Sequence, residues 1–144
     1  MKVDNLEQFK LEVNKALLSR DTSVRLKYES MTFSYSSENR RWEITQNKIL
    51  HCDWGPAVIY EDGTQEWYCE GLLHRIGDPA VIHSDGTKEW WIEGLRHRTD
   101  GPAVIRSDGT KEWYCLSRLH RIDGVQPLSD QMVLEWWVES KSIK

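Results

Sequence analysis

The chain has 144 residues, 39% hydrophobic and 29% charged, with a net charge of −4 and eight tryptophans. That length suits one domain with a real core, the acidic balance speaks against general nucleic-acid binding, and no run approaches the ~20 apolar residues of a membrane helix. The opening MKVDNLEQFK lacks the apolar run of a signal peptide, and three cysteines fit no metal or disulfide spacing, so a cytoplasmic location is expected.

Residues 4–18 predict a helix. Asp4 or Asn5 can cap it, with Glu7 or Gln8 three residues on, and Leu6, Phe9, Val13, Ala16 and Leu17 fall on one face. Alternation follows over 23–35, first Val24, Leu26 and Tyr28, then Met31, Phe33 and Tyr35. The step of three between Tyr28 and Met31 predicts a bulge or turn near Glu29–Ser30. Residues 36–39 form a turn signal, and Arg41 to Thr45 reads as a strand with Trp42 and Ile44 on one face.

From His51 the chain repeats at a step of 23 residues: HCDWGPAVIYEDGTQEWYCEGLL, HRIGDPAVIHSDGTKEWWIEGLR, HRTDGPAVIRSDGTKEWYCLSRL, then HRIDG. A fixed period in this range signals an array of small units, each buried only against its neighbours. Within a unit, Pro-Ala-Val-Ile is a strand, Asp-Gly a hairpin turn and the Trp-containing run the return strand; Gly71 and Gly94 mark a second tight turn. Residues 42–50 read as a degenerate half-unit with two extra residues, because Trp42 precedes His51 by nine residues rather than seven. Ser129 can cap a final helix of about 130–142 that closes the array. The expected fold is mainly β (α+β): one domain with an N-terminal cap over 1–41, an elongated twisted antiparallel sheet of tandem hairpins over 42–124, and a C-terminal capping helix over 125–144.

If Asp-Gly is a two-residue turn, His83 faces Lys88, Val81 faces Trp90 and Pro79 faces Ile92. Pro, Val, Trp and the Cys69/Ile92/Cys115 position then form the core side. The open side carries an aromatic stripe of Tyr68, Trp91 and Tyr114 beside Ile59, Ile82 and Ile105, with carboxylates at Glu66, Glu89, Glu112, Glu70 and Glu93. Such a stripe either stabilises the sheet or serves as a recognition groove for a basic protein surface through apolar and cation–π contact.

His51, His74, His97 and His120 recur once per unit, without the second ligand that metal binding needs, and read as structural. Arg75, Arg98 and Arg121 form a basic row, read as an edge salt-bridged to residues such as Asp100 and Asp123, or as an anion or RNA contact. No phosphate-binding loop, dinucleotide fingerprint or nucleophile elbow is present, so no catalytic residue, cofactor or metal is expected.

The unit, with its Gly-x-x-His core and closing Asp-Gly, resembles the MORN repeat. It is closer still to His-Arg-x-Asp-Gly-Pro-Ala repeats of phage, giant-virus and bacterial proteins. The resemblance covers 42–124 and implies consecutive hairpins in one long grooved sheet, in proteins that are mostly scaffolds. Here Arg follows His where the usual repeat has Gly, and no polybasic segment supports a phospholipid role.

These features predict a non-catalytic protein-binding module. It would engage a basic protein surface through Tyr68, Trp91 and Tyr114, the carboxylates Glu70, Glu89, Glu93 and Glu112, and the acidic first unit at Tyr60, Glu61 and Asp62. A phage or mobile-element source would make it an anti-CRISPR-like inhibitor of a host nucleic-acid-binding protein. The alternatives are nucleotide or nucleic-acid capture by the stripe and the Arg row, and a structural role as a homo-oligomer.

Overall fold

The computed structural model describes residues 1–122, with the side chains of 120–122 left aside. The expected C-terminal helix and Asp123 lie outside the described residues, as does the side chain of Arg121.

Helix α1 spans Leu6–Ser19; the Asn5 side chain caps it by accepting the Gln8 N–H at 2.8 Å. It ends on Arg20 in the left-handed region (φ 53°), whose N–H closes back on the last turn. Phe9, Val13 and Ala16 are buried against β1 (Leu26–Tyr28), β2 (Met31–Ser36) and β3 (Arg41–Gln46), where Leu26, Phe33, Trp42 and Ile44 complete the main core. The expected break near Glu29 is a tight turn with Glu29 at φ 49°.

The array follows as β4 (Ile49–Leu50), β5 (Val58–Tyr60), β6 (Gln65–Glu66), β7 (Tyr68–Cys69), β8 (Leu72–Leu73), β9 (Val81–Ile82), β10 (Lys88–Glu89), β11 (Trp91–Ile92), β12 (Leu95–Arg96), β13 (Val104–Ile105), β14 (Lys111–Cys115) and β15 (Arg118–Ile122). The long antiparallel sheet runs β1-β2-β3-β5-β6-β9-β10-β13-β14-β15, with β4 attached to β3; β7-β8 and β11-β12 are separate hairpins. Each unit therefore makes two turns, one at each margin.

The Asp-Gly turn is longer than expected. Gly86 N–H donates to His83 O at 3.0 Å, and His83 N–H to Thr87 O at 2.9 Å, with Gly86 at φ 89°. This is a four-residue turn closed by a left-handed glycine bulge rather than a two-residue loop. Asp85 Oδ1 accepts the Thr87 N–H at 2.8 Å, and Thr87 Oγ1 accepts the Ser107 N–H of the next unit at 3.1 Å. Asp62 and Thr64 repeat the arrangement onto Ser84. So Asp-Gly-Thr is both a turn and a clasp between units.

The longer loop moves the register by one residue, which corrects the expected faces. Val81 pairs with Glu89 and Ile82 with Lys88, not Val81 with Trp90 and His83 with Lys88. One face carries Glu43, Val58, Glu66, Val81, Glu89, Val104 and Glu112 in one cross-strand row. Ile59, Ile82 and Ile105 stand on the opposite face, with Trp42, Gln65, Lys88 and Lys111. The isoleucines thus do not flank the carboxylates, and valine shares its face with glutamate rather than tryptophan. The shared position of Cys69, Ile92 and Cys115 is also not one packed row: Cys115 is buried, Ile92 half-buried and Cys69 exposed.

The second turn has both central residues left-handed: Glu70 and Gly71 (49°, 82°), Glu93 and Gly94 (48°, 77°), Leu116 and Ser117 (47°, 64°). Asn47 and Lys48 (51°, 67°) make the same turn between β3 and β4. His51 N–H donates to Ile44 O as His74 does to Trp67 O and His97 to Trp90 O. Ile44, not Trp42, therefore occupies the tryptophan position of the half-unit, and that half-unit contains no extra residues.

Candidate functional site

The carboxylate face builds the candidate site. Glu89 and Glu112 are buried, which isolated carboxylates would not tolerate. Glu89 accepts from His83 Nε2 at 2.9 Å, Trp91 Nε1 at 3.0 Å and Arg96 Nε at 3.0 Å, and Arg96 Nη2 stands in ion-pair contact at 2.9 Å. Burial pushes its carboxyl up, but the His83 and Arg96 contacts outweigh that and hold it below the ordinary value. The Arg96 guanidinium lies 5.0 Å from the Trp91 ring and 5.4 Å from the Tyr114 ring. Arg96 of unit two is thus enclosed by a carboxylate and the aromatic rings of units two and three.

In unit three, Glu112 binds Arg106 at 2.7 Å (Nε) and 2.6 Å (Nη2) and accepts the Tyr114 hydroxyl at 2.9 Å. In unit one, Glu66 accepts the Tyr68 hydroxyl at 3.1 Å. The cation positions there are Leu73 and Tyr60, where unit two has Arg96 and His83. Burial, then the charge of Glu66, pushes the Tyr68 phenol up to about 12. The expected stripe Tyr68–Trp91–Tyr114 is therefore real as a row, each member tied by its polar edge to the glutamate two residues before it.

The acidic first unit is largely engaged. Tyr60 OH accepts from Arg41 at 2.8 Å. Glu61 binds Arg40 through Nε and Nη2 at 2.9 and 2.7 Å, and also accepts the Tyr35 hydroxyl. Asp62 accepts the Thr64 N–H and the Ser84 hydroxyl. Tyr60, Glu61 and Asp62 line a cleft of about 580 Å³ with Arg20, Arg40 and Trp42. Glu70 and Glu93 are exposed at the second-turn tips, on the margin opposite Asp62. The structure thus gathers Tyr68, Glu89, Trp91, Glu112 and Tyr114, but leaves Glu61, Asp62, Glu70 and Glu93 outside that row.

The histidines hold the array together. His51, His74 and His97 each accept, at Nδ1, the backbone N–H of residue 70, 93 or 116, nineteen positions on. The Nδ1 partner is the second-turn tip at the end of the same unit, and His51 also bonds Asp53 of its own unit through Nε2 at 3.1 Å. Arg75 and Arg98 stack at 4.1 and 4.0 Å on Trp67 and Trp90, and donate to the carbonyls of Pro79 and Pro102. Arg98 also binds Asp100, as expected, at 2.8 Å. With these partners, Arg75 and Arg98 are committed within the fold and poorly placed to receive an anion.

His83, Arg96 and Arg106 escaped the sequence reading. Their signal lies within the repeat itself: positions 60/83/106 and 73/96/119 vary (Tyr/His/Arg and Leu/Arg/Leu) beside the constant Ile59/Ile82/Ile105 and His74/His97/His120. Among the described residues no three His, Cys, Asp or Glu side chains gather as a metal site, and no helix is long and apolar enough to cross a membrane. Neither a family model, nor a curated protein, nor a solved structure matches the chain.

Proposed function

We propose that the chain is a non-catalytic module that binds a protein with a basic surface. The supporting observation is the row Tyr68, Trp91 and Tyr114, half-buried and held by Glu66, Glu89 and Glu112. Rings fixed from behind present a rigid surface at little entropic cost, and Glu66, which has no ion pair among the described residues, favours cations over phosphates beside them. Resemblance to MORN-type repeats, whose proteins are mostly scaffolds, points the same way. Where the partner's basic surface is its nucleic-acid site, binding would inhibit that partner.

The test is a pull-down with wild type beside Tyr68/Trp91/Tyr114→Ala, the variant first checked by circular dichroism to be folded. A protein retained by wild type, released by salt and lost by the variant supports the reading. Equal capture by both, or none by either, overturns it.

A further inference from the structure

Units one and two build the same corner, but only unit two supplies its own cation. Tyr68 pairs with Leu73 as Trp91 pairs with Arg96, and Cys69 with Leu72 as Ile92 with Leu95. Glu66 lies in the glutamate row on the strand before Tyr68, as Glu89 does before Trp91. By the 23-residue step, Tyr68 and Trp91 are related to position 73 as Trp91 and Tyr114 are to Arg96. Leucine follows the first carbons of an arginine side chain but carries no guanidinium. Among the described residues no ion pair reaches Glu66, and its one side-chain hydrogen bond comes from the Tyr68 hydroxyl. Arg41, on nearby β3, is held by Glu43 and Tyr60.

We infer that the corner formed by Glu66, Tyr68 and Trp91 is a receptor for an arginine side chain of the partner, seated as Arg96 is seated on Glu89, Trp91 and Tyr114. This rests on the protein-binding reading above and specifies its contact. Arginine fits better than lysine, because the planar Arg96 fork donates its Nε–H to Glu89, brings Nη2 within 2.9 Å of the same oxygen and lies near two rings. A phosphate or carboxylate ligand is disfavoured by Glu66 itself.

The test titrates the full chain with N-acetyl-arginine amide, with N-acetyl-lysine amide as control, following the Tyr68 and Trp91 ring signals by NMR. Saturable shifts are expected with the arginine probe and weaker ones with lysine. Glu66→Gln should weaken binding about ten-fold or more, as loss of a charge-assisted bond implies. Leu73→Arg should remove the response by filling the corner from within, while melting curves show the fold kept. No saturable shift in wild type, or a Leu73→Arg protein that responds like wild type, overturns the receptor. A pull-down separates the two readings. A partner captured equally by wild type and Leu73→Arg sinks the receptor and leaves the binding module. Arginine binding with no captured partner leaves the receptor and sinks the module.

Discussion

The helix-covered end and the bare array solve one packing problem in two ways. At equivalent positions the covered end has Ile44 and Cys52, while the array has Trp67 with Arg75 and Trp90 with Arg98. Under α1 the site belongs to one core cluster with Phe9 and Val13, so smaller apolar side chains fill it and Cys52 is 7% exposed. Without a helix, the tryptophan is covered by an arginine whose stem packs and whose head reaches water and a proline carbonyl. The backbone is indifferent to the choice; the covering layer decides it. A single-layer array can thus build its second layer from its own long side chains.

Phe33→Ala tests that contrast most strongly. It should cost about 3–5 kcal/mol in urea unfolding, against about 2 kcal/mol for Val104→Ala, because the large apolar residues buried without remainder lie under α1. Next, Cys52→Arg should destabilise by about 3 kcal/mol, since the charge would enter a sealed core. Adding Ile44→Trp should not restore stability, although the pair then copies unit two; a rescued double variant would show that α1 is not what excludes the Trp–Arg pair. In the array, Arg98→Met should cost only about 1–2 kcal/mol by thermal melting, the sum of a lost cation–π contact, one carbonyl bond and an exposed ion pair to Asp100.

Ser117 stands at φ 64° where units one and two have Gly71 and Gly94. Ser117→Gly should therefore stabilise by less than about 1 kcal/mol in thermal melting, because relief of left-handed strain is offset by loss of the hydroxyl that accepts the Arg96 N–H at 3.1 Å. The smallest effect concerns pH. Burial holds the His97 imidazole below its ordinary 6.5, and its Nδ1 must stay unprotonated to accept the Leu116 N–H. In that window the unfolded chain binds the proton first, so stability is full above about 6.5 and declines as pH falls toward the folded value. Urea midpoints across this window should slope in wild type and flatten in His97→Gln.

Features set by neighbours in sequence were legible. The Asn5 cap, the turn at Glu29, the strand through Trp42 and the 23-residue hairpin period depend on residues a few positions apart. The register was not, because Asp-Gly suits both a two-residue loop and the longer bulged turn. Thr64 and Thr87 favour the latter through bonds to serines twenty residues away. The half-unit was misaligned because Trp42 resembles the repeat's tryptophan while Ile44 has its backbone role. The candidate site was legible as an aromatic row with carboxylates. Burial of Glu89 was not, because its partners His83 and Arg96 belong to the positions that vary.

The clasp from each Asp-Gly-Thr turn to the serine of the following unit carries a consequence for chain length. Every contact of this kind recurs one period further along the chain, so the joints are interchangeable. Excising residues 74–96 would bring Ser107 against Thr64 and Arg98 onto Trp67, while His51 keeps the tip at 70 and His97 the tip at 116. The molecule is in this sense modular at whole periods only: a 23-residue loss or gain rejoins matching parts, whereas removing one residue misaligns every joint that spans the gap.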